Sequence, residues 1–149
     1  MPARFRTALV LLTLTLTGCG GAAPWDVRER IAGFYQGNDA QRIAQIPPED
    51  RPFDIETYMA KRTALGRMIR TTEADALTMY GHYTAVMVTH NTEFERGHVL
   101  EIFQYRLDDR GLRLVSYNYQ IGKRLWCPLI GMRSQCSVED APVTVTSRR

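Results

Sequence analysis

The sequence predicts an α+β domain in which N-terminal helices pack on one face of a curved, four-stranded antiparallel meander. Three segments rich in Val, Ile, Tyr and Phe, residues 83–94, 98–108 and 112–121, follow one another closely. The short breaks between them end in Gly, and the region before them carries apolar residues at helical spacing. Such segments between turn residues are typical of strands joined by hairpins. Helices followed by hairpin strands favour a two-layer α+β architecture.

The chain begins with features of a secretory signal, which we assign to residues 1–18. Arg4 and Arg6 precede an apolar, Thr-rich run at residues 8–16, and small residues follow. This run is too short to cross a bilayer, which takes roughly 20 residues. Removing the leader lowers the formal net charge from +3 to +1. Because the remaining charges of both signs are interspersed, the sequence predicts no nucleic-acid partner.

The end of this leader, LTGC at residues 16–19, resembles the lipobox of bacterial lipoproteins. The resemblance implies cleavage before Cys19, acylation of Cys19 with chains such as palmitate, and attachment to a membrane. Two or more acyl chains make release from a bilayer slow. Gly20 and Gly21, in place of Asp, imply an outer-membrane lipoprotein that faces the periplasm. The alternative is an ordinary signal peptide with an incidental Cys, and residues 19–24 form a tether in the favoured interpretation.

Two short helices are predicted next. Asp26 and Glu29 match a capping box at the start of the first, which Gly37 ends. Asn38 is placed to cap a second helix that extends to Ile43.

A third helix is predicted to be capped by Asp54 and to end at Gly66, with an apolar side formed by Ile55, Tyr58, Met59 and Leu65. Residues 67–79 are predicted to form either one long bent strand or a strand followed by a loop. In both cases the strand runs antiparallel to residues 83–94, and the chain turns near residues 80–82.

The hairpin loops at residues 95–97 and 109–111 predict the strand register. A three-residue loop places its last residue, here a Gly, in the left-handed region. The expected neighbours are then Phe94 with His98, Asp108 with Leu112, His90 with Ile102, Phe103 with Tyr117, Tyr105 with Val115, and Glu101 with Tyr119. Odd-numbered residues would share the covered face. The even face would expose Val86, Val88, Leu100 and Ile102, an apolar patch that implies a protein partner, a self-dimer or cover by the C-terminal segment.

The chain resembles the cystatin-like and nuclear-transport-factor-two-like superfamily, and in particular two families of uncharacterised domains of bacterial secreted proteins and lipoproteins. The residues that carry this resemblance are the 37–39 break, residues 83–86, 92–97, 99–101 and 109–114, and Tyr117. They are turn and core positions, so the resemblance implies a fold for residues 25–122 and no activity.

Residues 123–149 lie outside that resemblance and contain Cys127 and Cys136. With Cys19 acylated, these form an even pair in an oxidising compartment, which predicts a structural disulfide. A catalytic dithiol or a metal pair is the alternative. We expect a disulfide-stapled extension with a mobile tail from Ser137, in which residues 143–146 could add to a sheet edge.

Glu101 is the one carboxylate predicted on the apolar sheet face. A desolvated carboxylate has a raised pKa, which suits a general base, so Glu101 with Tyr105, Tyr117 and Tyr119 forms the candidate ligand site. The favoured interpretation is instead that Glu101 lies near a sheet end and only binds a helix N-terminus, an arginine or a tyrosine hydroxyl. His82, His90 and His98 do not converge at zinc-ligand spacing. No metal, cofactor or catalytic residue is therefore predicted.

The sequence thus favours a non-enzymatic, lipid-anchored domain of the cell envelope that binds a protein or an envelope component. An immunity protein that neutralises a secreted toxin is one specific form of this hypothesis. The alternative is a small-molecule or isomerase-like site between the third helix and the sheet, around Glu101.

Overall fold

A computed structural model describes residues 23–127 and 136–141. The leader, the predicted lipidation residue Cys19 and residues 143–146 lie outside these residues. The described chain contains helices α1 (Trp25–Gln36), α2 (Asp39–Gln45) and α3 (Ile55–Ala64), and a 3-10 turn at Pro48–Asp50. The strands are β1 (Met68–Tyr80), β2 (Thr84–Phe94), β3 (Gly97–Asp108), β4 (Gly111–Ile121), β5 (Lys123–Trp126) and β6 (Ser137–Asp140). The predicted α+β class with a four-stranded meander is confirmed, in the order β1-β2-β3-β4. Of the helices just given, none is both long and apolar enough to cross a membrane.

The helix starts differ from the predicted caps in two of three cases. The helix α1 begins at Trp25 after Pro24, without a side-chain cap, so the predicted capping box of Asp26 and Glu29 is wrong. Asp26 instead lies in the first turn, where a carboxylate favours the helix dipole. The capping box of α2 is present, with Asn38 and Gln41 bonding each other's backbone N–H. Asp54 occupies the N-cap position of α3 but makes no capping hydrogen bond.

The region before the hairpins forms one long strand, β1, which pairs antiparallel with β2 as predicted. Its register shifts twice, between Met68 and Arg70 and between Glu73 and Asp75. Such bulges bend a strand and increase its twist, which lets this sheet curve around the helices.

The register between β2 and β3 differs by one residue from the prediction. Phe94 pairs with Gly97 across a two-residue turn, and His90 pairs with Glu101 where Ile102 was expected. Gly97 does not have the positive φ that the predicted three-residue loop requires. A shift of one residue turns every side chain of β2 to the other face of the sheet relative to β3.

The register between β3 and β4 is predicted correctly only away from the turn. Glu101 pairs with Tyr119 and Phe103 with Tyr117. Beyond a bulge between Gln104 and Tyr105, Tyr105 pairs with Leu114, so the expected pair with Val115 is wrong. Asp108 pairs with Gly111, and the expected pair with Leu112 is wrong for the same reason.

The predicted exposed patch on the even face does not exist. Val86 and Val88 are buried in the core together with odd-numbered residues of β3. Leu100 points to the opposite face and is also buried, on the side where β5 lies against β2 and β3. The main core lies between the helices and the inner sheet face, and its large members include Phe34, Tyr58, Met59, Phe103, Tyr105 and Tyr117.

The C-terminal segment forms a hairpin over the outer face of the sheet. The strands β5 and β6 pair antiparallel, and Cys127 and Cys136 form the predicted disulfide, with an S–S distance of 2.06 Å. The Asn91 side chain on β2 donates to Leu125 O at 2.8 Å and accepts from Leu125 N at 2.7 Å. Residues 137–140, predicted to begin a mobile tail, instead form β6.

Candidate functional site

Glu101 lies at the centre of a buried polar cluster between the helices and the inner face of the sheet. Its side chain is fully inaccessible to solvent. The carboxylate oxygen Oε2 accepts hydrogen bonds from Tyr35 Oη of α1 at 2.8 Å and from Thr92 Oγ1 of β2 at 2.6 Å. These two bonds join the first helix to the middle of the sheet through one side chain.

The second oxygen of Glu101, Oε1, faces α3 and β4. It accepts hydrogen bonds from Tyr58 Oη at 3.1 Å, Arg62 Nε at 3.1 Å and Tyr117 Oη at 2.5 Å. Tyr58 Oη also lies 3.0 Å from Tyr117 Oη. One carboxylate therefore contacts donors from two helices and two strands.

Arg62 supplies the positive charge that matches Glu101. It lies on the same side of α3 as Tyr58 and Met59, its side chain is buried, and its guanidinium carbon sits 4.9 Å from the centre of the Phe94 ring. Guanidinium groups are weakly hydrated and tolerate aromatic surroundings. Burial by itself lowers the pKa of Arg62, but the Glu101 carboxylate together with Tyr117 and Tyr58 outweighs this effect, and the net pKa is raised.

The pKa of Glu101 is lowered, which is opposite to the raised pKa that the ligand-site hypothesis requires. Burial by itself would raise this pKa, but Arg62, together with the hydroxyls of Thr92, Tyr117 and Tyr35, stabilises the charged form more strongly. The favoured interpretation, in which Glu101 binds an arginine and tyrosine hydroxyls, is confirmed. A carboxylate whose two oxygens already accept five hydrogen bonds has little remaining capacity to take a proton from a substrate.

A line of hydroxyl groups extends this cluster to His90. Thr92 Oγ1 lies 3.1 Å from Thr71 Oγ1, which lies 3.0 Å from His90 Nδ1. Because Thr92 uses its hydrogen for Glu101, it can only accept from Thr71, and a Thr71 hydroxyl that donates to Thr92 accepts in turn from a proton on His90 Nδ1. Burial lowers the pKa of His90, although Glu73 and Glu101 oppose the effect, so the neutral ring is favoured at neutral pH.

Tyr119 stands beside the cluster without joining it. Its ring stacks on Tyr58 at 3.4 Å between centroids. Burial raises the pKa of Tyr119, and the nearby Asp54 carboxylate raises it further, although the hydroxyl is not aligned for a hydrogen bond with any described residue. Of the four residues in the predicted ligand site, only Glu101 and Tyr117 bond each other.

Tyr105, the fourth predicted residue, lines a separate cavity of about 220 Å³. Gln104, Arg106 and Arg113 line it as well, together with Tyr83. The Arg106 guanidinium lies 4.0 Å above the centre of the Tyr83 ring, in cation–π geometry.

Asp108 holds both arginines of this cavity in place. Its Oδ2 accepts a hydrogen bond from Arg113 Nη2 at 3.0 Å and lies 2.8 Å from Arg106 Nε. The Arg110 backbone N–H lowers the pKa of Asp108 most, and the two arginines lower it further.

Sequence reasoning missed Arg62, Thr92 and Thr71 as members of the buried cluster. A signal for Arg62 was present, because it follows Tyr58 by four residues and Met59 by three, which places it on the apolar side of α3. Thr92 was assigned to the wrong face through the register error in β2.

Within residues 23–127 and 136–141, no group of three or more His, Cys, Asp and Glu side chains is arranged to hold a metal ion. Comparisons with protein-family models, curated proteins and solved structures gave no match to this chain. The resemblance to cystatin-like domains therefore stays a prediction, and the functional argument rests on the residues themselves.

Proposed function

We propose that this protein is a lipid-anchored domain of the bacterial cell envelope that binds a protein or an envelope component without catalysing a reaction. The observation that carries this proposal is the position of Ala23. Ala23 is buried, and its backbone N–H donates to Glu73 Oε1 of β1 at 3.1 Å. Ala23 is thus held against the sheet only four residues after Cys19, the proposed acylation site.

A tether this short would hold the domain against the membrane surface. Four residues span at most ~14 Å when fully extended. Trp25, the first residue of α1, is 74% exposed. Tryptophan favours the boundary between water and lipid, so its exposure next to the tether agrees with this placement.

The partner-binding surface would lie at the other end of β1. Tyr80 is seven residues beyond Glu73, which corresponds to ~23 Å along a strand. Exposed apolar side chains gather at that end of the sheet, on the β1–β2 turn and on β3: Met79, Tyr80, Tyr83 and Leu107. An immunity protein is one form of this proposal, in which the partner is a toxin.

The five hydrogen bonds that the Glu101 carboxylate accepts argue against the alternative of an isomerase-like site. A general base needs a free lone pair within hydrogen-bond reach of its substrate. Glu101 would first have to release donors that stabilise the fold.

The anchor is tested by palmitate labelling and fractionation of cells that produce the full chain or Cys19→Ser. We expect labelled protein in outer membranes for the full chain and loss of both label and membrane attachment for Cys19→Ser. An unlabelled, freely soluble full chain would contradict the anchor.

The binding surface is tested with a photo-crosslinking amino acid at Tyr80 of the anchored protein. The matched position is Glu29 on the exposed side of α1, near the tether. We expect a discrete adduct from Tyr80 and none from Glu29. Equal or absent adducts at both positions would argue against this surface.

A further inference from the structure

We infer that the sheet edge formed by the first half of β1 lies against the lipid bilayer, with one tryptophan on either side of the strand. The chain contains two tryptophans, Trp25 and Trp126, and their side chains are 74% and 47% exposed. Tryptophan is highly buried on average in soluble domains, whereas in membrane proteins it gathers at the boundary between lipid and water. This placement rests on the proposed anchor at Cys19 and adds the face of the domain that the anchor brings to the lipid.

Trp25 is held beside β1 on the helix side of the sheet. The Ala23 backbone N–H donates to one oxygen of the Glu73 carboxylate at 3.1 Å, and Arg28 Nε lies 3.4 Å from the other. Trp25 precedes Arg28 by three residues, so the two side chains share one side of α1. The exposed indole therefore lies near Glu73, where the chain arrives from Cys19.

Trp126 lies near the same point of β1, on the outer face of the sheet. The Asn91 side chain binds both backbone groups of Leu125, and Asn91 pairs with Thr72 of β1. Trp126 follows Leu125 and is the last residue of β5, so the end of β5 lies over the outer face near Thr72. Because Thr72 and Glu73 are adjacent, the two tryptophans flank one point of β1 from opposite faces.

The Trp126 side chain is directed toward the beginning of β1. Side chains alternate along a strand, so Trp126 shares one side of β5 with Arg124. Arg124 lines a cleft on the outer face together with Arg70 and Thr72 of β1. Ile69, at the first bulge of β1, is 55% exposed and adds an apolar side chain to this edge.

The arginines around the tryptophans carry no excess charge. Each of the three forms an ion pair with a carboxylate: Arg28 with Glu73, Arg70 with Glu93, and Arg124 with Glu139. This group is neutral as a whole, so it offers no basic cluster for anionic lipids. The contact instead comes from the indoles, whose apolar rings enter the lipid while their N–H groups stay at the polar boundary. A zwitterionic bilayer surface is therefore sufficient.

The test attaches the domain to vesicles at residue 19, independently of acylation in the cell. Residues 19–149 are coupled through the Cys19 thiol to a maleimide lipid in phosphatidylcholine vesicles. Cys127 and Cys136 form a disulfide, so Cys19 is the free thiol among the three cysteines of the chain. Acylation in cells is measured separately by the palmitate labelling described above. A failure of the proposed anchor and a failure of the present inference are therefore distinguishable.

Two variants report separately on the two sides of β1. Trp126→Phe leaves only Trp25 to fluoresce, and Trp25→Phe leaves only Trp126. Both side chains are exposed, so neither substitution should lower thermal stability. Each variant is measured on vesicles with and without bromine on the acyl chains, because bromine quenches tryptophan emission on contact. We expect each of the two variants to lose most of its emission on the brominated vesicles.

The matched control carries its tryptophan at the opposite edge of the sheet. The 3-10 turn before α3 packs against β4, the other outer strand, and Phe53 follows this turn with its side chain fully exposed. Phe53→Trp, combined with Trp25→Phe and Trp126→Phe, should keep its emission on brominated vesicles. Quenching of only one native tryptophan, of neither, or of the Phe53→Trp control as strongly as the native pair would overturn the inference.

Discussion

Replacing Glu101 by Gln tests the central interaction of the fold. The substitution keeps the shape of the side chain but leaves the Arg62 charge buried without its counter-charge. It also places an NH₂ group among hydroxyls that already donate to the carboxylate. Removing one partner of a buried ion pair costs ~3–5 kcal/mol, so we expect the free energy of unfolding to fall by that amount.

Urea denaturation at pH 7 measures this loss directly, and thermal unfolding should show a decrease in Tm of about 10–20 °C for a domain of this size. A second variant, Arg62→Met in the Glu101→Gln background, removes the uncompensated charge. It should recover about 1.5–3 kcal/mol, because the two substitutions act on one interaction. The recovery also keeps the test informative if Glu101→Gln alone is too unstable to purify.

The pH dependence of stability independently checks the direction of the Glu101 pKa shift. The folded pKa of Glu101 lies below its unfolded value of about 4.3, so its contribution is fully present above that pH. The contribution disappears as the pH falls through the folded pKa. Glu101→Gln should therefore lack part of the acid destabilisation that the unmodified protein shows. A loss below 1 kcal/mol with an unchanged acid profile would refute the structural role that we assign to this carboxylate.

Three further predictions concern the edges of this core. His90→Gln should reduce the loss of stability that begins below about pH 6.5, because burial lowers the folded pKa of His90 and the unfolded chain takes up the proton first. The exposed His82→Gln is the control. If His90→Gln left the slope of stability against pH unchanged, the lowered pKa of His90 would be contradicted. Asn91→Ala should release β5 from the sheet at a cost of ~1–3 kcal/mol, seen as faster amide hydrogen exchange at Leu125, while the exposed Asn118→Ala leaves this exchange unchanged. Reduction of the Cys127–Cys136 disulfide should destabilise the pairing of β5 with β6 by ~2–3 kcal/mol in the chain-entropy model, seen as faster amide hydrogen exchange in these two strands. Equally faster exchange in β2 and β3 would show that the disulfide stabilises more than this pairing.

The layer architecture was predictable because it depends on patterns that a single sequence contains. The apolar side of α3 and the cap at Asn38 both appear in the structure as expected. The strand β1 was left open between two forms, because bulges depend on pairing and curvature rather than on local composition.

The register of β2 was the main error, and it changed the functional interpretation. Both loops were expected to have three residues, but Phe94 pairs with Gly97 and Asp108 pairs with Gly111, so each turn has two. The bulge between Gln104 and Tyr105 restores the expected register in the second hairpin, whereas the pairing of β2 with β3 has no bulge to do so. The composition of β2 itself indicated the correct face, since its even positions hold Val86 and Val88 and its odd positions hold Asn91 and Glu93.

The Glu101 cluster could be foreseen only as a location. A carboxylate on an apolar face predicts an unusual environment, but the direction in which its pKa shifts depends on which partners contact it. Arg62, which with three hydroxyl groups reverses the effect of burial, comes from a helix about 40 residues earlier, and only the folded structure brings it to Glu101.

The two bulges of β1 affect whether neighbouring copies of this domain can join through their sheet edges. This strand is an outer strand of the four-stranded sheet and is 13 residues long, a length at which unpaired backbone groups could join the same strand of a neighbouring molecule. Irregular spacing together with the charges of Arg70, Glu73 and Asp75 interrupts the regular ladder that such joining needs. If the proposed anchor crowds the molecules on a membrane surface, they would thereby remain separate rather than polymerise through their sheets.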